Sequence, residues 1–159
     1  MRGHKEVIAI LNEALKEELT AVNQYMVHAE MCENWGYERL GEHIKKNAIG
    51  EMKHAEALIE RILFLDGMPR MGETLPLNIG ETVKAQLEND LKLELGAVTM
   101  YNNGIKKARE LGDNASADLL EKLLKDEEGH VDWLEAQLHM IKEVGYENYL
   151  AQQLEEEEE

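Results

Sequence analysis

The sequence predicts an all-α protein: a four-helix bundle with one long crossover plus a short C-terminal helix. Only two of its 159 residues are prolines, Pro69 and Pro76, and they lie close together. The stretches on either side of them are rich in Ala, Leu, Glu and Lys, which favour helices. Apolar residues in these stretches recur every three or four positions, the period of a helix with one buried face.

Glycine and proline signals divide the two stretches into five predicted helices. Their expected bounds are about residues 5–35, 38–65, 81–112, 115–145 and 147–154. Asn78 or Gly80 is the expected N-cap of the third helix. The first four helices have about 30 residues each, or ~45 Å.

The segment 66–80 joins the second and third helices and shows little helical periodicity. When extended it spans ~50 Å, about one helix length. We therefore expect it to run along the bundle, so that the third helix lies parallel to the second. A two-fold axis then relates the two tight hairpins of the bundle.

Length and composition predict one domain over residues 1–154 and an acidic tail at 155–159. The net charge of −16 argues against a nucleic-acid partner, because phosphate binding needs clustered Lys and Arg. The acidity serves solubility or draws cations inward. The lone Cys32 and the absence of a long apolar run predict a soluble cytoplasmic protein with no membrane partner.

A 76-residue repeat contains the candidate metal ligands. Glu18 is followed 33 residues later by Glu51-x-x-His54, and Glu94 is followed 33 residues later by Glu127-x-x-His130. The surrounding residues repeat too: Leu15, Lys16, Leu19, Ala21, Val22 and Tyr25 recur as Leu91, Lys92, Leu95, Ala97, Val98 and Tyr101. Two equivalent halves are therefore expected to supply one ligand set each.

All six candidate ligands fall within apolar stripes, so the alternative that they are ordinary charges on solvated faces is disfavoured. The stripe of the first helix is Leu11, Leu15, Glu18, Val22, Tyr25 and Ala29, and the third helix repeats its steps. Residues three apart share a helix face, so each Glu-x-x-His presents both side chains to the core.

Four carboxylates buried together need compensating charge, because an isolated buried carboxylate is costly or becomes neutral. Two divalent cations would neutralise them, with neutral imidazoles completing the site and one Glu from each of helices two and four bridging the ions. The same ligand set is the recognised signature of di-iron and di-manganese bundles. Oxygen-rich ligation favours iron or manganese, although affinity alone would not exclude zinc.

Tyr25 and Tyr101 lie two helical turns beyond Glu18 and Glu94. Most buried tyrosines are core residues whose hydroxyl finds a partner. Tyr25 is the stronger candidate for a catalytic role, through a hydrogen bond to the centre or through electron transfer. Two adjacent Fe(II) ions could deliver two electrons to O2 or H2O2.

With these residues in hand, the chain resembles the bacterioferritins, the haem-containing branch of the ferritins, over essentially its full length. The similar stretches are LNEALKEELTAVNQY, GEMKHAEALIERILFLDGMP, LNIGE and DEEGHVDWLEAQL. Haem-free ferritins generally lack the second histidine, which is His130 here. The resemblance implies a ferritin-like fold and a hollow homo-oligomeric 24-subunit shell built from dimers. Such a shell oxidises Fe(II) at each di-iron ferroxidase centre and stores ferric mineral, and a reductant protein for iron release is a further candidate partner.

The resemblance also implies that Met52 from each of two subunits binds one b-type haem across the dimer axis. Met52 adjoins Glu51 and therefore points about 100° away around the helix. Together with Ala48, Ile59 and Leu63 it is expected to form an apolar outer patch that needs a partner subunit. Alternatively, Met52 only packs in a dimer interface.

The chain also departs from the family pattern. Some bacterioferritins have a His and an Asp facing the cavity where this chain has Lys46 and Gly50, so no inner-surface iron site is expected there. Four further histidines fall outside the predicted core stripes and are candidates for a cavity or pore role: His4, His28, His43 and His139.

Two other classes of function fit part of the pattern. A di-iron peroxidase or oxidase of rubrerythrin type usually has a Cys-x-x-Cys rubredoxin module, which a chain with one cysteine cannot supply. The other class of function is a haem-free ferritin cage, or a cage that only buffers metal or is purely structural. A passive cage would show no rapid oxidation of Fe(II).

Overall fold

The computed structural model describes residues 1–155, which form five helices and no strand. The helices are α1 (Lys5–Asn34), α2 (Glu38–Phe64), α3 (Val83–Glu110), α4 (Asn114–Val144) and α5 (Tyr146–Ala151). The all-α prediction is confirmed. Residues 156–159, most of the predicted acidic tail, lie outside the described residues.

The main differences from the predicted helix ends are in α3 and α5. The N-cap of α3 is Thr82, whose hydroxyl accepts the Ala85 N–H at 3.1 Å, and not Asn78 or Gly80. Both of those residues are held by side chains of the bundle instead. Helix α5 ends at Ala151, three residues earlier than expected.

Contacts between the long helices establish their directions. Tyr25 of α1 bonds Glu94 of α3, and Tyr101 of α3 bonds Glu18 of α1, so these two helices are antiparallel. Helix α2 is antiparallel to α1 across the short turn at residues 35–37. The third helix is therefore parallel to the second, as the length of the crossover predicts.

The crossover between α2 and α3 is bound to α1 by a row of polar side chains that the sequence analysis missed. In order along α1 they are Asn12, Thr20, Gln24 and His28. Their backbone partners in the crossover, in the same order, are Met68 with Arg70, Leu75, Asn78 and Gly80. The crossover thus follows α1 from its N-terminal half to its C-terminal end.

His28 is fully buried, which makes the expectation that it lies outside the core wrong. Its Nε2 accepts the Gly80 N–H at 3.0 Å, so Nδ1 donates to Asp90 Oδ1 at 2.9 Å. Asp90 also accepts a hydrogen bond from Gln24. His28 is buried because α3 and the crossover both supply partners for its ring, and its role is to join them to α1.

Two apolar clusters fill the bundle, one on each side of the layer that contains the candidate ligands. The first surrounds Leu11, Leu58 and Leu120, and the second surrounds Ile44, Leu87 and Leu134. Helix α5 packs beside the second cluster through Tyr149, whose hydroxyl donates to Gln137 Oε1 at 2.8 Å. Within residues 1–155, no helix combines the length and the hydropathy that a membrane-spanning segment requires.

Candidate metal centre

The six predicted ligands meet between the two apolar clusters, one or two from each long helix. They form two overlapping groups, Glu18–Glu51–His54–Glu127 and Glu51–Glu94–Glu127–His130, in each of which the potential ligand atoms lie within 4.8 Å of one another. Glu51 and Glu127 belong to both groups. The geometry therefore provides two neighbouring positions, each with three carboxylates and one imidazole, that share the carboxylates of Glu51 and Glu127.

Both imidazoles turn Nδ1 towards the carboxylates. His54 Nδ1 lies 3.1 Å from Glu127 Oε1 and 3.4 Å from Glu18 Oε2. His130 Nδ1 lies 3.3 Å from Glu51 Oε1 and 3.4 Å from Glu94 Oε1. Each ring thus directs one nitrogen into its own position.

A tyrosine supports each carboxylate that is not shared. The Tyr101 hydroxyl donates to Glu18 Oε1 at 2.5 Å, and the Tyr25 hydroxyl donates to Glu94 Oε1. Burial raises the pKa of both phenols well above the ordinary value, and neighbouring carboxylates add to the effect. Both tyrosines therefore remain protonated hydrogen-bond donors. Tyr101 makes the same kind of contact with a candidate ligand as Tyr25 does.

The surroundings favour the protonated, positively charged form of both imidazoles when no cation is bound. Burial alone would lower the pKa of each ring, but interactions with the neighbouring carboxylates outweigh it. The pKa of His54 is raised to about 11, mainly by Glu127 and Glu18, and that of His130 to about 10, by Glu127 and Glu94. A cation that binds either ring must displace a proton.

The shared carboxylates differ from each other. Burial raises the pKa of Glu51 well above its ordinary value, and repulsion from Glu18 and Glu127 adds to the effect. Burial would also raise the pKa of Glu127, but hydrogen bonds from Glu94 and the histidines hold it well below the ordinary value. The surroundings thus favour the charged form of Glu127 more than that of Glu51.

Buried polar atoms without a hydrogen-bond partner show whether these residues suit a pair of metal ions. Among the described residues, six buried side-chain atoms lack a hydrogen-bond partner, and five of them belong to the candidate ligands. Buried polar atoms are normally paired. Four of these five atoms are hard carboxylate oxygens and one is an imidazole nitrogen, a donor set that suits Fe or Mn. They are Glu18 Oε2, Glu51 Oε1, Glu94 Oε2, Glu127 Oε2 and His130 Nδ1.

Two further acidic residues beside the centre were missed by the sequence analysis. Asp126 of α4 accepts a hydrogen bond from His54 Nε2 at 2.9 Å. Glu17 Oε2 is the sixth unpartnered buried atom, and burial together with Glu18 raises the pKa of Glu17 to about 7. Each directly precedes a ligand in the sequence, but a helical pattern alone does not show which neighbour of a ligand lies close to the centre.

Met52 lies on the outer side of α2 with 45% of its surface exposed. Ile49, one turn earlier, and Leu63, about three turns later on α2, are also exposed, and Ile59 between Met52 and Leu63 is half-buried, so an apolar outer patch exists. Ala48 was wrongly assigned to this patch, because it is only 2% exposed. It lies four residues after Ile44 and three before Glu51, which places it on the inner stripe.

The other histidines outside the ligand set have no common location. His4 and His139 are exposed on the surface. The His43 ring stacks on Trp133 with centroids 4.0 Å apart, and burial and the nearby His130 lower its pKa. Lys46 is exposed and Gly50 is half-buried, one turn apart on α2.

Comparison with known proteins identifies the class to which this fold and site belong. The ferritin-like domain family matches residues 8–144. Bacterioferritin from Mycobacterium leprae is 45% identical over 152 residues, which cover 96% of both chains. Bacterioferritin from Brucella melitensis is 45% identical over 94% of this chain and 92% of its own, and that from Streptomyces coelicolor is 39% identical over 98% and 93%. The chain belongs to the ferritin-like family and, within it, to the bacterioferritins.

Proposed function

We propose that the protein stores and detoxifies iron by oxidising Fe(II) to Fe(III) at a di-iron ferroxidase centre in each subunit. The observation that carries this proposal is the pair of overlapping ligand groups, which share Glu51 and Glu127. Two Fe(II) ions bound side by side can together give two electrons to O2 or H2O2. The family relationship supports iron as the cargo, and the oxygen-rich donors are consistent with it.

The residues of the centre would perform distinct tasks in this reaction. Glu18 with His54 and Glu94 with His130 each hold one ion, and Glu51 and Glu127 bridge the two. Tyr101 and Tyr25 orient the unshared carboxylates through their hydroxyl groups. Tyr25 also remains our candidate for a catalytic role in electron transfer, and Tyr101 makes the equivalent contact with Glu18.

Rapid Fe(II) oxidation tests the ferroxidase proposal. We expect Glu94→Ala to abolish the fast rise in ferric absorbance that follows mixing with Fe(II) in air. Glu88→Ala is the matched control, because it removes an exposed glutamate of the same helix that pairs with the exposed Lys84. Full activity in the Glu94→Ala protein, or no rapid phase in the parent, would refute the proposal.

We further propose that Met52 from each of two subunits binds one b-type haem across a dimer axis. The exposed thioether on an apolar outer face supports this proposal. An ion pair between Lys45 of α2 and Glu30 of α1 shows that the two helices meet on this side, where α1 exposes Met26. Such a face fits a second subunit.

Substitution of Met52 separates haem binding from dimer packing. Met52→Leu keeps the apolar volume and removes the thioether, so dimers should form without co-purifying haem. Met26→Leu is the control and should leave the haem spectrum unchanged. A bis-methionine spectrum in the Met52→Leu protein would show that the axial assignment is wrong.

We propose that the subunits assemble from dimers into a 24-subunit cytoplasmic shell, from which a reductant protein assists iron release. The family relationship and the apolar outer patch support assembly. Sedimentation velocity on the purified protein tests it, with a single species of the mass of 24 subunits as the expected result. A stable monomer or dimer at micromolar concentration would contradict it.

A further inference from the structure

The two histidines of the candidate centre differ in how their outer nitrogen is supported. His54 Nε2 bonds the Asp126 carboxylate at 2.9 Å across the α2–α4 contact. The repeat that relates His54 to His130 also relates Asp126 to position 50, which is Gly50. Nowhere in residues 1–155 does His130 Nε2 find an equivalent partner, and a Cβ at position 50 would meet no atom within 4 Å.

The remaining unshared ligands are supported equally. Glu18 accepts from Tyr101 and Glu94 accepts from Tyr25. The bridging residues serve both positions alike. The two positions thus differ in whether the outer nitrogen of the imidazole has a hydrogen-bond partner. The His130 side chain is also more exposed than the His54 side chain, at 18% against 11%.

A carboxylate on the outer nitrogen of a metal-binding histidine fixes the orientation of the ring and makes it a stronger ligand. Loss of such a partner typically lowers metal affinity by about 10–100-fold. His54 therefore has an advantage that His130 lacks.

We propose that the two metal positions are unequal, because Asp126 positions His54 whereas Gly50 leaves His130 unsupported. The position of Glu18 and His54 binds a divalent cation more tightly, and the position of Glu94 and His130 fills second and empties first. This inference rests on the proposed di-iron ligand set. It makes Asp126 a positioning residue and assigns a role to the absence of a side chain at position 50.

Cobalt(II), which is not oxidised under these conditions, tests the inequality without any measurement of activity. We expect calorimetric titration of the full-length metal-free protein to show two classes of site that differ by about tenfold or more. Gly50→Asp should tighten the weaker class about tenfold, and Asp126→Asn should weaken the stronger one. Gly129→Asp is the matched control, because Gly129 is an exposed helical glycine beside His130 with open space around it.

Crystals soaked with one equivalent of Co(II) per subunit assign the classes to positions. Anomalous scattering at the cobalt edge should show higher occupancy beside Glu18 and His54 than beside Glu94 and His130. Equal occupancy, the reverse order, or an unchanged weaker class in Gly50→Asp would overturn the inference. A failure of the proposed di-iron site itself would look different, since the parent would then bind no cobalt at either position.

Discussion

At the scale of single residues, Glu17 shows how the centre affects side chains outside the ligand set. It precedes Glu18, and its Oε2 is buried without a partner. Burial and the neighbouring carboxylates raise its pKa to about 7 from the ordinary 4.5. The folded state therefore prefers the neutral form of this side chain.

This preference predicts a pH-dependent gain in stability for Glu17→Gln. Between pH 4.5 and 7 the folded protein holds a proton on Glu17 that the unfolded chain has released, so stability falls as pH rises through this window. Gln keeps the shape and cannot ionise. We expect the melting temperature of metal-free Glu17→Gln to exceed that of the parent at pH 8 and to match it near pH 4.5.

Scanning calorimetry at several pH values in a chelator measures this difference. Glu13→Gln is the control, since Glu13 lies one turn earlier on α1 and is exposed. A constant offset between Glu17→Gln and the parent at every pH would show that ionisation of Glu17 is not the cause.

At the scale of secondary-structure elements, the polar row on α1 determines the path of the crossover. The crossover lacks regular structure over most of its length, so its backbone groups need partners from elsewhere. Thr20 illustrates the arrangement, since its hydroxyl donates to Lys16 O at 2.7 Å and accepts the Leu75 N–H at 2.9 Å. Each residue of the row fixes one point of the path.

Replacement of the Thr20 hydroxyl by a methyl group should loosen this attachment. Thr20→Val leaves the Leu75 N–H without its acceptor and should destabilise the protein by about 1–2 kcal/mol. Hydrogen exchange at Leu75 should become faster. Thr99→Val is a matched control, because the exposed Thr99 hydroxyl bonds only Leu95 O of its own helix. Equal exchange rates at Leu75 in both variants would contradict the role of Thr20.

At the scale of the whole molecule, a charged layer divides the apolar interior into two clusters. Without cations, four nearly fully buried glutamates share this layer with two histidines. Their mutual repulsion and desolvation oppose folding, and the protonated imidazoles offset part of it. Bound cations should therefore stabilise the entire bundle and not only the site.

Thermal unfolding with and without metal tests this coupling. Saturating Co(II) should raise the melting temperature of the parent, because a ligand that binds only the folded state stabilises it by about 2.7 kcal/mol at 100 times its Kd. Glu94→Ala should remain folded in a chelator, because the loss of a desolvated carboxyl group offsets the loss of its hydrogen bond with Tyr25. It should gain less from Co(II). An equal gain in both proteins would show that the stabilising metal binds elsewhere.

The fold and the six candidate ligands were predictable from the sequence because both depend on local spacing. The steps of three and four place Glu18 and Glu94 within core stripes, and each Glu-x-x-His presents two side chains to one face. The repeat then implies that the two halves meet around a common centre. These features need only the helical period and the count of residues between motifs.

Only the tertiary structure decided which side chains support that framework. His28 lies 52 residues from Gly80 and 62 from Asp90 in the chain, and His54 lies 72 from Asp126. Such pairs depend on how each helix is rotated against its neighbours and on where the crossover lies. Ala48 is a different case, because its spacing from Ile44 and Glu51 already places it on the inner stripe of α2. The helical period orders residues around one axis, but the packing of the other helices and the crossover decides which of them are buried.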